Sequence, residues 1–198
     1  MKLLIGTNNN YKLEEIREIL QGSDIEVLSM DDAGIDVEVE ENGLTFPENA
    51  LIKARELFKI SGVPTLADDS GLAVEALGGA PGVFSARYSG VDGVNKDNAN
   101  IEKLLNELSR QTNQNRKAYF ACAIAFIDEL GNENVVEGQC HGSIGNQKRG
   151  NNGFGYDPVF IVDGFNGKTM AELEPEIKNS ISHRGNALRK IKKVLEQK

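Results

Sequence analysis

The sequence predicts an α/β protein built on a mixed sheet, on three observations. Apolar runs that read as strands alternate with helical spacings at both ends of the chain. Between them, two long strand-like runs flank a turn, as in a hairpin. The 198 residues contain no internal repeat, low-complexity tract or Pro/Ser linker. The whole chain, 1–198, therefore reads as a single domain, with room for two lobes and a sizeable core.

Each element has its own signal. Residues 2–6 form an apolar run that predicts a buried strand. Residues 11–21 follow with Leu13, Ile16, Ile19 and Leu20 at helical spacing. Residues 25–29 predict a second strand. Thr45-Phe46-Pro47-Glu48 has the form of a helix start, with Thr45 as N-cap, Pro47 in the first turn and Glu48 as the reciprocal cap. Ala50, Leu51, Ala54, Leu57 and Phe58 make one stripe of that helix, which runs to about Ser61-Gly62. Residues 64–67 predict a short strand that stops at Asp68-Asp69-Ser70-Gly71, and residues 71–93 read as Gly-rich and irregular. A helix is expected over 97–109, strands over 117–127 and 133–143, a further strand over 158–162, and a last helix from His183 to Glu196.

Composition narrows the function. Lys and Arg number 22 against 30 Asp and Glu, a net charge of −8. An acidic chain with no basic run argues against nucleic acid or an anionic membrane surface as partner. No stretch approaches the ~18 apolar residues of a membrane span. The apolar run at Met1–Gly6 is too short for a signal peptide. Cys122 and Cys140 have no metal-ligand spacing and form no disulfide framework, so they read as reduced thiols of a cytoplasmic protein.

Several segments could carry chemistry. The first strand ends in Gly6-Thr7-Asn8-Asn9-Asn10-Tyr11-Lys12, inside which a helix begins. Unpaired N–H groups at a helix start can hold a phosphate, with Thr7 and Asn9 adding hydrogen bonds and Lys12 a point charge. The other reading is that Asn and Thr only cap the helix. Glu38, Glu40 and Glu41 precede the capped helix, and Asp68-Asp69 follow the short strand. Carboxylates from separate segments suit Mg²⁺, which takes one or two of them together with substrate phosphates. Side chains alternate along a strand, so one aspartate is expected to enter a site while the other anchors a turn. Lys53 either reaches a cleft or snorkels to water. In Asn152-Gly153-Phe154-Gly155-Tyr156-Asp157-Pro158, the glycines allow close approach of a flat ligand. Phe154 or Tyr156 could stack on a base, with Asp157 or nearby backbone reading its edge. Alternatively the segment is a turn with a packed aromatic. Lys178 precedes Ser182-His183-Arg184-Gly185, which opens the last helix. Cations in a first helical turn oppose the helix dipole, so His183 and Arg184 call for a compensating anion. His141, within a strand, reads as structural. Gly167-Lys168-Thr169 is not a P-loop, because Val162 stands where the upstream glycine is needed.

Taken in order, these segments resemble the inosine triphosphate pyrophosphatase family over essentially the whole chain. The resemblance rests on Thr7-x-Asn9-x-x-Lys12, then Glu41-Asn42-Gly43-Leu44-Thr45-Phe46-Pro47-Glu48-Asn49-Ala50 with Lys53-Ala54. It continues through Ala67-Asp68-Asp69-Ser70-Gly71-Leu72, Gly78-Gly79-Ala80-Pro81-Gly82 and Ser85-Ala86-Arg87-Tyr88-Ser89-Gly90. It ends with Gly153-Phe154-Gly155-Tyr156-Asp157-Pro158, Lys178 and Ser182-His183-Arg184-Gly185. The resemblance implies an elongated, two-lobed ITPase-like fold with the active site in the cleft between lobes, and a homodimer. It also implies Mg²⁺-dependent hydrolysis of purine nucleoside triphosphates (ITP, dITP and XTP) to the monophosphate and pyrophosphate. Carried over by position, Thr7, Asn8, Asn9, Asn10, Tyr11 and Lys12 would bind the triphosphate, with Lys53 assisting. Glu40 or Glu41 and Asp69 would hold Mg²⁺, and Asp69 is also the implied base. Ser70 would touch substrate. Phe154, Gly155, Tyr156 and Asp157, with Lys178, His183 and Arg184, would hold the base and adjoining phosphates.

Overall fold

The computed structural model describes residues 1–196. Strands β1 (Lys2–Gly6), β2 (Glu26–Leu28), β3 (Thr65–Val74), β4 (Lys117–Ile127), β5 (Glu133–Ile144) and β6 (Phe160–Val162) form one sheet in the order β2-β1-β3-β4-β5-β6. β1 is parallel to β2 and to β3, whereas β5 is antiparallel to β6, so the sheet is mixed, as expected. The helices are α1 (Asn10–Leu20), α2 (Phe46–Ser61), α3 (Lys96–Ser109), α4 (Pro175–Ile181) and α5 (His183–Leu195). Among the described residues, no helix is long and apolar enough to cross a membrane.

The ends of α2 follow from local chemistry. Thr45 Oγ1 accepts from Glu48 N at 3.3 Å and Glu48 Oε2 accepts from Thr45 N at 3.1 Å, a reciprocal cap that satisfies two orphan donors. Gly62 closes the helix at φ 66°, a left-handed conformation that glycine takes without a Cβ clash.

Two expectations are corrected. β3 does not stop before Asp68-Asp69-Ser70-Gly71 but continues to Val74. Those polar residues form no turn, because partners elsewhere in the fold compensate their carboxylates and leave the backbone free to pair. The start of the region read as irregular is therefore strand. The seven-residue α4 was not anticipated; it is about two turns long, with no apolar stripe to mark it.

The chain divides into two compact units. The first comprises Met1–Asp69, Cys122–Gly138 and the segment from His183 onward. Alternation along its strands sorts the core. Leu3, Ile5, Leu66, Cys122 and Ile124 pack with Leu13 and Ile16 of α1 and with Leu188 and Ile191 of α5. Ala67, Ala123 and Ala125 pack with Ala50 and Ala54 of α2, where small side chains let the helix lie close. By parity Asp68 faces the α1 and α5 side, and Asp69 the α2 side. The second unit comprises Ser70–Ala121 and Gln139–Ser182. Its core joins Leu72, Val74, Phe120 and Cys140 to Ile101, Leu104 and Leu108 of α3, and to Tyr156 and Phe160. Burying each large apolar side chain contributes about 1.5–3 kcal/mol. His141 lies exposed on β5, its ring 5.7 Å from that of Tyr119.

Candidate active site

In the first unit, β1 runs into α1 through Thr7, Asn8 and Asn9. Asn9 is the N-cap: its Oδ1 accepts from Lys12 N at 3.2 Å, while Thr7 Oγ1 accepts from Asn9 N at 3.2 Å. Both residues thus cap the helix. Asn8, Asn10 and Tyr11 are exposed around its start.

The Lys12 side chain does not point to water. Its Nζ lies 2.9 Å from Asp68 Oδ2. Arg184 at the start of α5 places Nε 3.5 Å from the same oxygen and pairs through Nη1 with Glu15 of α1. The anion expected to compensate Arg184 is therefore supplied within the chain, by Asp68 and Glu15. Asp68 is 1 % exposed and Arg184 2 % exposed. Two such groups stay ionised in an interior only when paired. Burial alone would raise the Asp68 carboxyl, but Lys12, Arg184 and Lys53 outweigh it and hold it well below the usual carboxylate range. Burial would likewise lower the Arg184 guanidinium, yet Asp68 and Glu15 raise it above its ordinary value.

Lys53 of α2 forms the second half of the cluster. Its Nζ pairs with a Glu41 carboxylate and donates to the Asp68 carbonyl oxygen at 2.9 Å. It does not snorkel. Burial would depress its pKa, but Asp68 and Glu41 raise it. Asp69 accepts from Asn49 Nδ2 at 3.0 Å. Burial, then the charge on Glu41, push the Asp69 carboxyl up to about 6, against the opposing pull of Asn49, Lys12 and Lys53. Adjacent aspartates thus titrate in opposite directions because they face different partners. The expectation that one of them anchors a turn is overturned: both carboxylates join buried networks. Glu41 is half-buried against Lys53, whereas Glu40 is exposed. Ser70 follows on β3, half-buried.

Among the described residues, no three His, Cys, Asp or Glu side chains gather as a ready-made metal site. The charge on Glu41 lies close enough to raise the cost of ionising Asp69, a conflict that a divalent cation relieves. Mg²⁺ commonly takes only one or two carboxylates plus phosphate oxygens, so this donor set fits it.

In the second unit, the loop from Gly153 to Asp157 folds around one carboxylate. Asp157 Oδ2 accepts from Phe154 N at 3.0 Å and lies 2.9 Å from Lys178 Nζ. Lys178 also sits 4.8 Å from the centre of the Phe154 ring, a cation–π distance. A Cβ on Gly153 would come within 2.0 Å of Asp157 Oδ2, so the loop closes only with glycine there. Tyr156 is buried in the core, and its phenol donates to the Ser85 carbonyl at 2.9 Å. It therefore fills the packed-aromatic role, while Phe154 is the half-buried ring. His183, at the start of α5 in the first unit, is 6 % exposed.

Three functional neighbours escaped the sequence. Glu15 reads as solvent face, although its position one turn after Lys12 is the signal that α1 presents both charges together. Asn49 stands in the Glu41-to-Ala50 segment with nothing in its spacing to announce Asp69 as its partner. Asp97, in the first turn of α3, accepts from Gly155 N at 2.8 Å, and nothing in its spacing announces that partner.

The chain matches the Ham1 family over residues 3–194. It is 50% identical over 197 residues to a protein of Clostridium tetani named dITP/XTP pyrophosphatase, covering 98% of this chain and 96% of that one. It is also 50% identical over 205 residues to the dITP/XTP pyrophosphatase of Aquifex aeolicus, covering 99% and 97%. The solved structure of a HAM1 protein from Coxiella burnetii superposes with a TM-score of 0.91 at 41% identity, covering 100% of both chains.

Proposed function

The chain belongs to the Ham1 family, and from that premise we propose that it hydrolyses the non-standard purine nucleotides ITP, dITP and XTP to the monophosphate and pyrophosphate, clearing them from the nucleotide pool. The observation that carries this reading is the first unit's cluster. The half-buried cations Lys12 and Lys53 and the buried Arg184 stand among carboxylates, one of which, Asp69, is lifted to about 6. The names of the full-length relatives support the substrate class.

The residues divide the work. Lys12, Lys53 and the start of α1 hold the polyphosphate, an anion that the protein's overall charge would otherwise repel. Glu41 and Asp69 would hold Mg²⁺, which when bound neutralises phosphate charge and makes water more acidic. Asp69 is ionised at neutral pH yet basic enough to take a proton from a water that attacks the α-phosphorus. Cleavage between the α and β phosphates builds charge on the departing pyrophosphate, and Lys12 and Lys53 stabilise that charge more than the ground state. Ser70 adds a substrate contact. Phe154, Gly155 and Asp157 with Lys178 hold the base; His183 and Arg184 serve the adjoining phosphates. A donor aimed at the purine 6-oxygen would leave an adenine amino group facing it unpaired, at about 1–3 kcal/mol per mismatch. The enzyme works in the cytoplasm as a homodimer, a location that its buried thiols support.

The test is pyrophosphate release from dITP. One dIMP and one pyrophosphate per turnover are expected with Mg²⁺, none with EDTA, and recovery on adding Mg²⁺ back. Orthophosphate as the product, or no turnover, would reject the reading.

A further inference from the structure

We infer that Asp97, and behind it Ser85 and Asn100, are positioning residues for base choice, acting through the loop from Gly153 to Asp157. The inference deepens the proposed function and rests on its assignment of that loop to the base. Two central amides of the loop are already committed within the protein. Phe154 N donates to Asp157, and Gly155 N donates to Asp97 at 2.8 Å. These amides are not spare donors for reading a base edge. Discrimination then depends on where the loop holds the Phe154 ring and the Asp157–Lys178 pair, and so on what holds the loop.

Its outer attachments are specific. Asp97 lies in the first turn of α3, where the helix dipole favours a carboxylate. Tyr156 ties the next residue to the Ser85 carbonyl at 2.9 Å. That carbonyl also accepts from Asn100 Nδ2 at 3.3 Å, and Asn100, buried on α3, accepts from Ser89 N at 2.7 Å. Ser85 Oγ accepts from Leu72 N at 2.9 Å, which ties the same segment to β3. The loop is thus pinned at residues 155 and 156 to supports that belong to α3 and β3. Displacing a recognition element by a fraction of an ångström alters binding before it alters chemistry.

The experiment uses the full chain with Mg²⁺ and compares dITP with dGTP. Asp97→Ala should raise KM for dITP and lower the dITP-to-dGTP ratio of kcat/KM by roughly tenfold, with kcat for dITP changed less than about threefold. Asp97→Asn, which keeps an acceptor for Gly155 N, should restore most of the ratio. In the nucleotide-free protein, amide exchange at Gly155 should quicken in Asp97→Ala and not in Asp97→Asn. Tyr156→Phe, which removes only the hydroxyl, should shift the ratio in the same direction. An unchanged ratio in an active enzyme would overturn the inference. So would equal losses on both nucleotides carried by kcat, the mark of general damage. A wild-type chain inert toward dITP would instead sink the activity, and is recognised before any substitution is made.

Discussion

Each unit holds an ion pair of the same length in different surroundings. Lys12 meets Asp68 at 2.9 Å in the first unit, and Lys178 meets Asp157 at 2.9 Å in the second. Asp68 has Arg184 as a second cation, and Lys53 on its own carbonyl. Asp157 pairs with Lys178 and accepts from a backbone N–H, and Lys178 lies against an aromatic ring. The first arrangement is a network in which several cations share one carboxylate and its carbonyl. The second ties down the shape of a loop. One kind of contact thus stands in two settings.

Removing a cation from each pair breaks the comparison most sharply. Lys178→Met removes the ammonium that faces the buried Asp157 carboxylate and should cost about 3–5 kcal/mol in denaturant unfolding. Lys12→Met should cost clearly less, because Asp68 retains Arg184, while KM rises for lack of a phosphate ligand. Equal losses in the two variants would dissolve the distinction. Next in size, Asp69→Asn should lower kcat by ~10²-fold or more on dITP, the usual scale of a lost general base. Near-wild-type turnover would remove Asp69 from the mechanism.

The pH dependence sharpens the contrast between the neighbouring aspartates. Asp69 is raised from 3.8 to about 6. Between those values the folded chain holds a proton that the unfolded chain releases, so stability from Asp69 is present at the acid end and lost as pH rises through about 6. Asp68 is shifted the other way, so its stability is present above the ordinary carboxylate range and disappears only as pH falls far below it. In metal-free protein, Asp69→Asn should therefore raise the thermal midpoint by a few degrees at pH 8 and leave it nearly unchanged at pH 4. The smallest effect is expected outside both clusters. Arg55→Ala, which opens an exposed bidentate pair with Glu133, should cost under about 1 kcal/mol.

Much of this was legible in the sequence because it is local. Thr45 and Glu48 lie three residues apart and cap one helix, and Gly62 ends it. The strand and helix periods likewise need no partner to be read. What was misread depends on distant partners. Asp68-Asp69-Ser70-Gly71 has the composition of a turn. It is a strand because Lys12 and Arg184, separated by most of the chain, neutralise Asp68, and because Asn49 serves Asp69. Arg184 called for an anion, correctly, but no spacing says that Glu15 and Asp68 supply it. Tyr156 was a candidate for stacking by residue type, and only the position of the Ser85 carbonyl assigns it to the core. Glu41 and Glu40 are equivalent in sequence; contact with Lys53 separates them.

The two cysteines give each unit its own clock. Cys122 is 0 % exposed in the first unit and Cys140 is 6 % exposed in the second. Burial pushes their thiols up to about 12 and about 11, so neither offers much thiolate to an alkylating reagent at neutral pH. Labelling must wait for local opening. With each thiol replaced in turn, the modification rate of the other records how often its own half of the molecule breathes.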